Sequence, residues 1–422
     1  METQPDLTLI SVLFWGIVTF SLVVVVHEVG HFFTARMFGV RVHEFVIGLP
    51  GPMLRLKTRS TTYGLSMVPL GGYVRIAGME PGEEDELLAQ ALGRCADMGG
   101  AAVDDIVTLL GVGVGRARSL LETLKDYGAL IPSHTGRDYV STVERRDGET
   151  DDELLARVRR QTFRGKKPWQ RIVILGTGVV LNLLFAILTF TFVLSAVGYD
   201  APSVTIEGPI PDTPAEAAGF QKGDIIRAVD GSAVEDWDAV LDAIARHDVG
   251  DPISVTVERD GRMLTIRATL TEEEGRAFLG LQSRLERQRM PVLESIKLSL
   301  EWTGMVFEAL VNLFRPDTFQ TTIQDARGVV GVSVEAAAAA SRGAIDYAWL
   351  VALLSLSLGA LNIFPIPPLD GGKILFEVIA IIRKKPLSKE VYLGLTGVGA
   401  VLIFSLVIYL VYSDIIRYVI QG

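Results

Sequence analysis

Four stretches of this chain carry no charged residue: 8–26, 172–198, 347–369 and 391–413. Each holds roughly 19 to 27 residues, and about 20 apolar residues are enough for a helix to cross the ~30 Å hydrocarbon core of a bilayer. Within that core every backbone N–H and C=O must be bonded inside its own segment, so each stretch is expected to be an α-helix. A mean hydropathy of +0.35 and 49% hydrophobic residues fit this expectation. The fold class that follows is a polytopic α-helical membrane protein with four transmembrane helices, placed at 1–38, 164–198, 346–372 and 388–417. The residues ahead of the first stretch, METQPDL, include Glu2 and Asp6 but no Lys or Arg. The first helix is therefore expected to be a retained anchor, not a cleaved signal peptide.

Basic residues near the helix ends set the expected orientation. They cluster after the first stretch (Arg36, Arg41, Arg55, Lys57, Arg59), before the second (Arg164, Lys166, Lys167, Arg171) and between the third and fourth (Arg383, Lys384, Lys385, Lys389). All three clusters fit one side, the cytoplasm. Both termini and residues 199 to about 345 are then expected outside it. The single cysteine, Cys95, excludes an intramolecular disulfide and a Cys-x-x-Cys zinc site.

Between the helices lie four polar regions. Residues 39–79 alternate apolar and polar positions between Gly and Pro turns, which predicts juxtamembrane β-hairpins. Residues 80–160 form an acidic insertion. From Glu80 to Glu153 it has 17 acidic and 7 basic residues, a balance of −10 that equals the net charge of the whole chain. Its helix, Gly-rich turn, second helix and hairpin-like SHTGRDYVST resemble a winged-helix module. Nucleic-acid binding is not expected, because phosphate neutralisation dominates that affinity and the sign here is wrong. A protein-binding or regulatory role suits the insertion better. Residues 199–275 show strand-like runs at 225–229, 253–258 and 264–270 and one amphipathic helix near 237–246. This region resembles a PDZ domain, with AEAAGFQKGDIIRAVDG its most specific part, and implies a peptide or chain-end ligand added to a sheet edge. Residues 286–345 read as amphipathic helices at the membrane surface, with lipids as their expected partners.

The chemistry concentrates in two places. HEVGH, residues 27–31, sits at the end of the first apolar stretch. Helix geometry puts His27 and His31 on one face, where both imidazoles reach one Zn²⁺, and Glu28 is next to them as a general base. Such a motif occurs by chance in many proteins. Ionisable residues within a span are costly, however, and usually mark a function. A catalytic zinc needs a third protein ligand and one open position. Asp370, in NIFPIPPLDGG at the end of the third stretch, is the candidate. Proline cannot continue the helix there, and broken backbone at membrane depth is tolerated only against protein or a wet cavity. His43, His134 and His247 are expected to be surface residues.

Together, HEVGH and NxxPxPxLDGG resemble the site-2 protease family of intramembrane zinc metalloproteases, and more closely its bacterial members with extracytoplasmic PDZ domains that cleave anti-sigma factors. The resemblance covers most of the chain outside 80–160. PLGGYVRIAGM, residues 69–79, is similar to the family's membrane-reentrant hairpin. Where the family's second span has Gly-Pro-x-x-Asn, this chain has Gly178-Val179-Val180-Leu181-Asn182, and a later family Gly-Pro is here Gly328-Val329. The resemblance implies one Zn²⁺ held by His27, His31 and Asp370, with Glu28 as the base. It implies single-span membrane proteins as substrates, anti-sigma factors or signal-peptide remnants among them, in the bacterial cytoplasmic membrane. A substrate helix must unwind to be cut, so Asn362, Asn182, Gly71 and Gly72 are the expected substrate contacts, with the hairpin near 63–76 pairing with the freed strand. The alternative is a non-catalytic receptor or scaffold using the PDZ-like region and the insertion. A membrane-tethered DNA regulator is a third reading, and the insertion's acidity opposes it.

Overall fold

The structure, a computed structural model, describes residues 8–58, 60–79, 83–133, 138–273, 275–313 and 315–420. Glu2, Asp6, Arg59, Glu80 and His134 lie outside these residues. The chain divides into two compact units, residues 1–190 with 296–422, and residues 191–295.

In the first unit, α1 (Leu9–Met37) starts at Thr8, whose hydroxyl accepts from the Ser11 N–H. Four strands follow, β1 (Val42–Ile47), β2 (Met53–Lys57), β3 (Thr62–Ser66) and β4 (Gly72–Ile76), in the sheet order β2-β3-β1-β4. The β2–β3 pair is the expected hairpin, but β1 runs parallel to β3, which a reading of hairpins alone does not anticipate. β4 pairs antiparallel with β1 and, among the described residues, has no neighbour on its other edge. Ala35, Val40, Val42 and Ile76 pack with Phe163, Ile174 and Leu175, fastening the sheet to the helices. The Ser21 hydroxyl, on α1, also donates to the Pro69 carbonyl just before β4.

The insertion runs α2 (Leu88–Asp97), β5 (Gly100–Ala102), α3 (Val103–Leu110), α4 (Val114–Asp126), β6 (Leu130–Pro132), β7 (Asp138–Ser141) and α5 (Asp151–Arg159). Its strands order as β5-β7-β6. It has its own core, in which Leu92, Ile106, Leu121, Leu124 and Leu154 surround Cys95. Burial pushes the Cys95 thiol up to about 12. Asp126, buried at the end of α4, accepts the Gly78 N–H at 2.7 Å and ties the insertion to the end of the β-sheet region.

The next helix, α6 (Pro168–Phe192), begins on a proline, whose missing N–H costs nothing at a helix start. A π-helical turn, Val193–Val197, follows it. The second unit holds β8 (Tyr199–Pro209), α7 (Pro214–Ala217), β9 (Ile225–Val229), β10 (Ser232–Ala233), α8 (Trp237–Ile244), β11 (Pro252–Arg259), β12 (Arg262–Thr269), β13 (Thr271–Glu273), β14 (Arg276–Phe278) and β15 (Leu281–Gln288). Its main sheet is ordered β12-β11-β9-β8-β15, with β10 on β9. Ile206, Phe220, Ile226, Val240, Val255 and Val257 form its core. The unit reaches past residue 275 because β15 pairs antiparallel with β8. The charged run LQSRLERQ hides that strand from a hydrophobic-pattern reading.

Back in the first unit come α9 (Val292–Asn312), α10 (Phe319–Asp325), α11 (Val329–Arg342), α12 (Ala344–Ile363), α13 (Asp370–Arg383) and α14 (Lys389–Ile415). The rings of Phe190, Trp302 and Trp349 stack edge to face with centroids 4.9–5.4 Å apart, joining α6, α9 and α12. The buried Asp414 carboxylate of α14 accepts the N–H groups of Gly328 and Gly331, satisfying donors at the start of α11. Among the described residues four helices are long and apolar enough to cross a membrane: Leu9–Met37, Pro168–Val197, Ala344–Ile363 and Lys389–Tyr418. The protein is a multi-pass membrane protein.

The third of these ends where the prolines require it. Residues 364–369 break the chain between α12 and α13, and Asp370 opens a new helix instead of closing the old one. The two glycines after Asp370 let α13 turn back against that break. A Cβ at Gly371 would collide with the carbonyls of Ile363 and Phe364, and one at Gly372 with the backbone of Ile366 and Pro367.

Candidate metal centre

Three side chains from two distant helices meet in the first unit. His27 and His31 lie one turn apart on α1, and Asp370 faces them from the first turn of α13. Nε2 of His27 is 2.8 Å and Nε2 of His31 is 3.1 Å from the same oxygen, Oδ2 of Asp370. The two Nε2 atoms are 3.1 Å apart. All three residues are buried, and among the described residues they are the group of His, Cys, Asp or Glu side chains able to hold a metal.

The residues fit zinc. Ligand atoms at ~2.0–2.1 Å from a tetrahedral ion stand about 3.3 Å from one another, close to the triangle seen. The outer atom of each ligand is held as well. Nδ1–H of His31 donates to the Ile174 carbonyl at 2.7 Å, which leaves the Nε2 lone pair facing the triangle. Nζ of Lys373 donates to Oδ1 of Asp370 at 3.0 Å, which leaves Oδ2 for the centre. Nδ1 of His27 faces the carboxamide of Asn182 at 3.4 Å.

That carboxamide carries information. Asn182 is fully buried, and among the described residues its Oδ1 has no hydrogen-bond partner when Nδ2 faces the imidazole. An unsatisfied buried acceptor costs about 1–3 kcal/mol. Turning the amide over presents Oδ1 to Nδ1–H of His27, the tautomer that a ligand binding through Nε2 requires.

The close approach of α6 to α1 depends on two glycines. A Cβ on Gly30 would lie 2.6 Å from the Thr177 carbonyl oxygen, and one on Gly178 would lie 2.5 Å from Nε2 of His31 and 2.9 Å from Nε2 of His27. Ile174, Gly178 and Asn182 are spaced by four and share one face of α6. That face supplies a carbonyl, an open space and an amide to the two histidines.

Glu28 is half-buried and lies within electrostatic reach of His31, His27, Lys373 and Asp370. It is next to the ligands without being one of them. The structure does not bring the remaining sequence candidates onto the triangle. Nδ2 of Asn362, near the end of α12, donates to the Leu358 carbonyl at 3.0 Å. Gly72 opens β4, where a Cβ would lie 2.8 Å from the Val46 carbonyl oxygen of β1, and Gly71 precedes it with its carbonyl accepting from the Gly48 N–H. His43 faces the Asp126 carbonyl and His247 pairs with Asp230. The sequence reading missed Ile174, Gly178 and Lys373. The spacing of Lys373, three residues after Asp370, signals its contact once Asp370 is known to start a helix.

A His-His-Asp triangle with an adjacent glutamate, buried among membrane-spanning helices, defines a membrane metallohydrolase. Peptidase family M50 matches residues 15–406, and the chain belongs to that family, the site-2 protease metallopeptidases. It is similar to the zinc metalloprotease RasP of Shouchella clausii (30% identity, covering 94% of this chain and 97% of that one). RasP of Geobacillus kaustophilus is 27% identical over 95% of this chain and 97% of its own. The metalloprotease MmpA of Caulobacter vibrioides is 29% identical over 97% and 96%. Among solved structures, the PDZ domain of the SdrC-like protein from Listeria monocytogenes aligns with 20% of this chain and 88% of that one, at 22% identity and a TM-score of 0.18. The protein is a zinc metalloprotease. The findings do not favour the receptor alternative.

Proposed function

We propose that the protein is an intramembrane endopeptidase of the bacterial cytoplasmic membrane. It would hydrolyse peptide bonds within the transmembrane segments of single-span proteins, such as anti-sigma factors or signal-peptide remnants. The observation that carries this reading is the meeting of Asp370, just beyond one helix apolar enough to cross a bilayer, with His27 and His31 inside another. A soluble peptide needs no such setting, whereas a membrane-buried one can be reached in few others.

Zinc held by His27, His31 and Asp370 would supply the Lewis acidity that polarises a peptide carbonyl and acidifies water. The chain supplies the rest. Glu28 takes the proton from the attacking water and returns it to the leaving amine. Ile174, Lys373 and Asn182 keep the ligand atoms aimed at one point. The substrate must arrive as an extended strand, since helical amides are bonded to one another. Among the described residues the edge of β4 beside α1 is unpaired and suits β-strand addition, with open space at Gly71, Gly72 packed closely on the Val46 carbonyl, and Asn362 able to donate to a freed carbonyl.

The second unit serves in this reading as an extracytoplasmic PDZ domain. A cavity of about 570 Å³ between α8 and the β14 region, lined by Trp237, Leu241, Ile244 and Phe278, suits a peptide or chain end. The insertion's order of helix, strand, two helices and two strands supports a winged-helix reading, in which it serves as a cytoplasmic protein-binding or regulatory domain.

The test compares wild type with Glu28→Gln, purified in detergent, for zinc content and for cleavage of a single-span model substrate. Zinc in both with cleavage only in the wild type is the expected result. Equal cleavage by both would remove Glu28 from the reaction, and a lack of zinc in both would remove the metal site.

A further inference from the structure

A second site lies between the four-stranded sheet and the insertion, at the end of α1 away from Thr8. It is a cleft of about 760 Å³ lined by Arg36, Arg41, His43, Lys57 and Lys125, and among the described residues no Asp or Glu lines it. In a chain of net charge −10, with an insertion that accounts for the whole deficit, such a wall is unexpected.

Two of these cations are compensated from outside the cleft. Lys125 pairs with Glu122 at 2.8 Å, and Nε2 of His43 is 3.6 Å from a carboxylate oxygen of Asp126. The other three are not. Among the described residues, none of Arg36, Arg41 and Lys57 makes an ion pair. Arg36 donates to the Ser60 hydroxyl at 2.9 Å. Arg41 donates to the Gly128 carbonyl at 2.7 Å and to Oε1 of Gln161 at 3.0 Å, so its guanidinium bridges the two walls on neutral acceptors alone. Arg41 is half-buried, and burial pushes its guanidinium below the ordinary arginine range. A charge withdrawn from water is normally matched by a counter-charge, and here the protein provides none.

We propose that this cleft binds a phosphate-bearing anion. Three uncompensated cations are enough to neutralise a phosphate's one to two negative charges, and Arg41 retains three N–H donors beyond the two given to Gly128 and Gln161. Hydroxyls of Ser60 and Thr62 line the same wall. The chemistry has two sources. One is the headgroup of an anionic phospholipid, which the last-turn position of Arg36 on a membrane-spanning helix favours. The other is a soluble phosphate compound. Either would lock the insertion against the helix that carries both metal-binding histidines.

The test uses the full-length chain in detergent, with binding counted by native mass spectrometry. One arm titrates phosphatidylglycerol with phosphatidylcholine as control. The other titrates inorganic phosphate. The variant is Arg36→Gln with Lys57→Gln, two exposed side chains whose removal leaves the Arg41 bridge in place. The expected result is one saturable equivalent in one arm, weakened at least tenfold in the double variant, with zinc content unchanged. Binding in the first arm assigns the headgroup, and binding in the second assigns the soluble anion. No saturable binding in either arm, or equal binding by wild type and variant, overturns the proposal.

Discussion

Lys373 donates to Oδ1 of Asp370 at 3.0 Å while Oδ2 of the same carboxylate faces both histidines. The lysine thus divides the carboxylate into a held oxygen and a ligating one. Replacing it with methionine keeps the stem and removes the donor. Loss of an outer partner of a metal ligand typically costs 10–100-fold in metal affinity. Lys373→Met is therefore expected to release zinc to a competing chelator at about 10–100-fold lower chelator concentration than wild type.

Asn182 is expected to act through His27. Asn182→Leu keeps the volume and removes the acceptor for Nδ1–H, freeing the imidazole to change tautomer. Zinc affinity should fall by about 10–100-fold. In a substrate-contact role the same variant would raise KM and leave zinc affinity alone. Measuring both constants on one preparation separates the two.

Gly178→Ala places a methyl 2.5 Å from Nε2 of His31. That is inside any van der Waals contact, and the far side is helix backbone that cannot yield cheaply. The expected outcome is a chain that still inserts and folds but retains under a tenth of the wild-type zinc, read by metal analysis after gel filtration.

In the insertion, the Glu149 carboxylate accepts from Arg157 at 2.7 and 2.8 Å and from the Arg146 N–H, which lowers it from 4.5 to about 2. Its folded value lies below its unfolded one. Its contribution to stability is therefore complete above about pH 4.5 and lost as the pH falls towards 2. Cleavage by pepsin between pH 4.5 and 2 should accelerate in wild type, and Glu149→Gln should already be cleaved faster at pH 4.5 with a flatter pH profile.

The parts of the site that were legible in the sequence are those set by local geometry. His27 and His31 could be paired because a helix repeats every 3.6 residues, and the break before Asp370 could be placed because proline has no N–H. Asn182 was legible as a polar residue in a span, but its partner was not, since nothing local links it to a histidine 155 positions earlier. Gly178 drew notice only as a variation in a motif, because a close approach between helices is a property of two surfaces. The parallel β1–β3 pairing and the strand β15 were hidden for a related reason: alternation marks a strand but does not name its neighbour, and LQSRLERQ barely alternates.

His27 and Asp370 are 343 residues apart in the chain. A ribosome adding about 5–20 residues per second needs roughly 20–70 seconds to travel that distance. For all of that interval the nascent chain holds His27, Glu28 and His31 without Asp370, the third member of the proposed metal centre. The proposed metal centre therefore stays incomplete until residue 370 has been added, and a product truncated before that residue is expected to hold no zinc there.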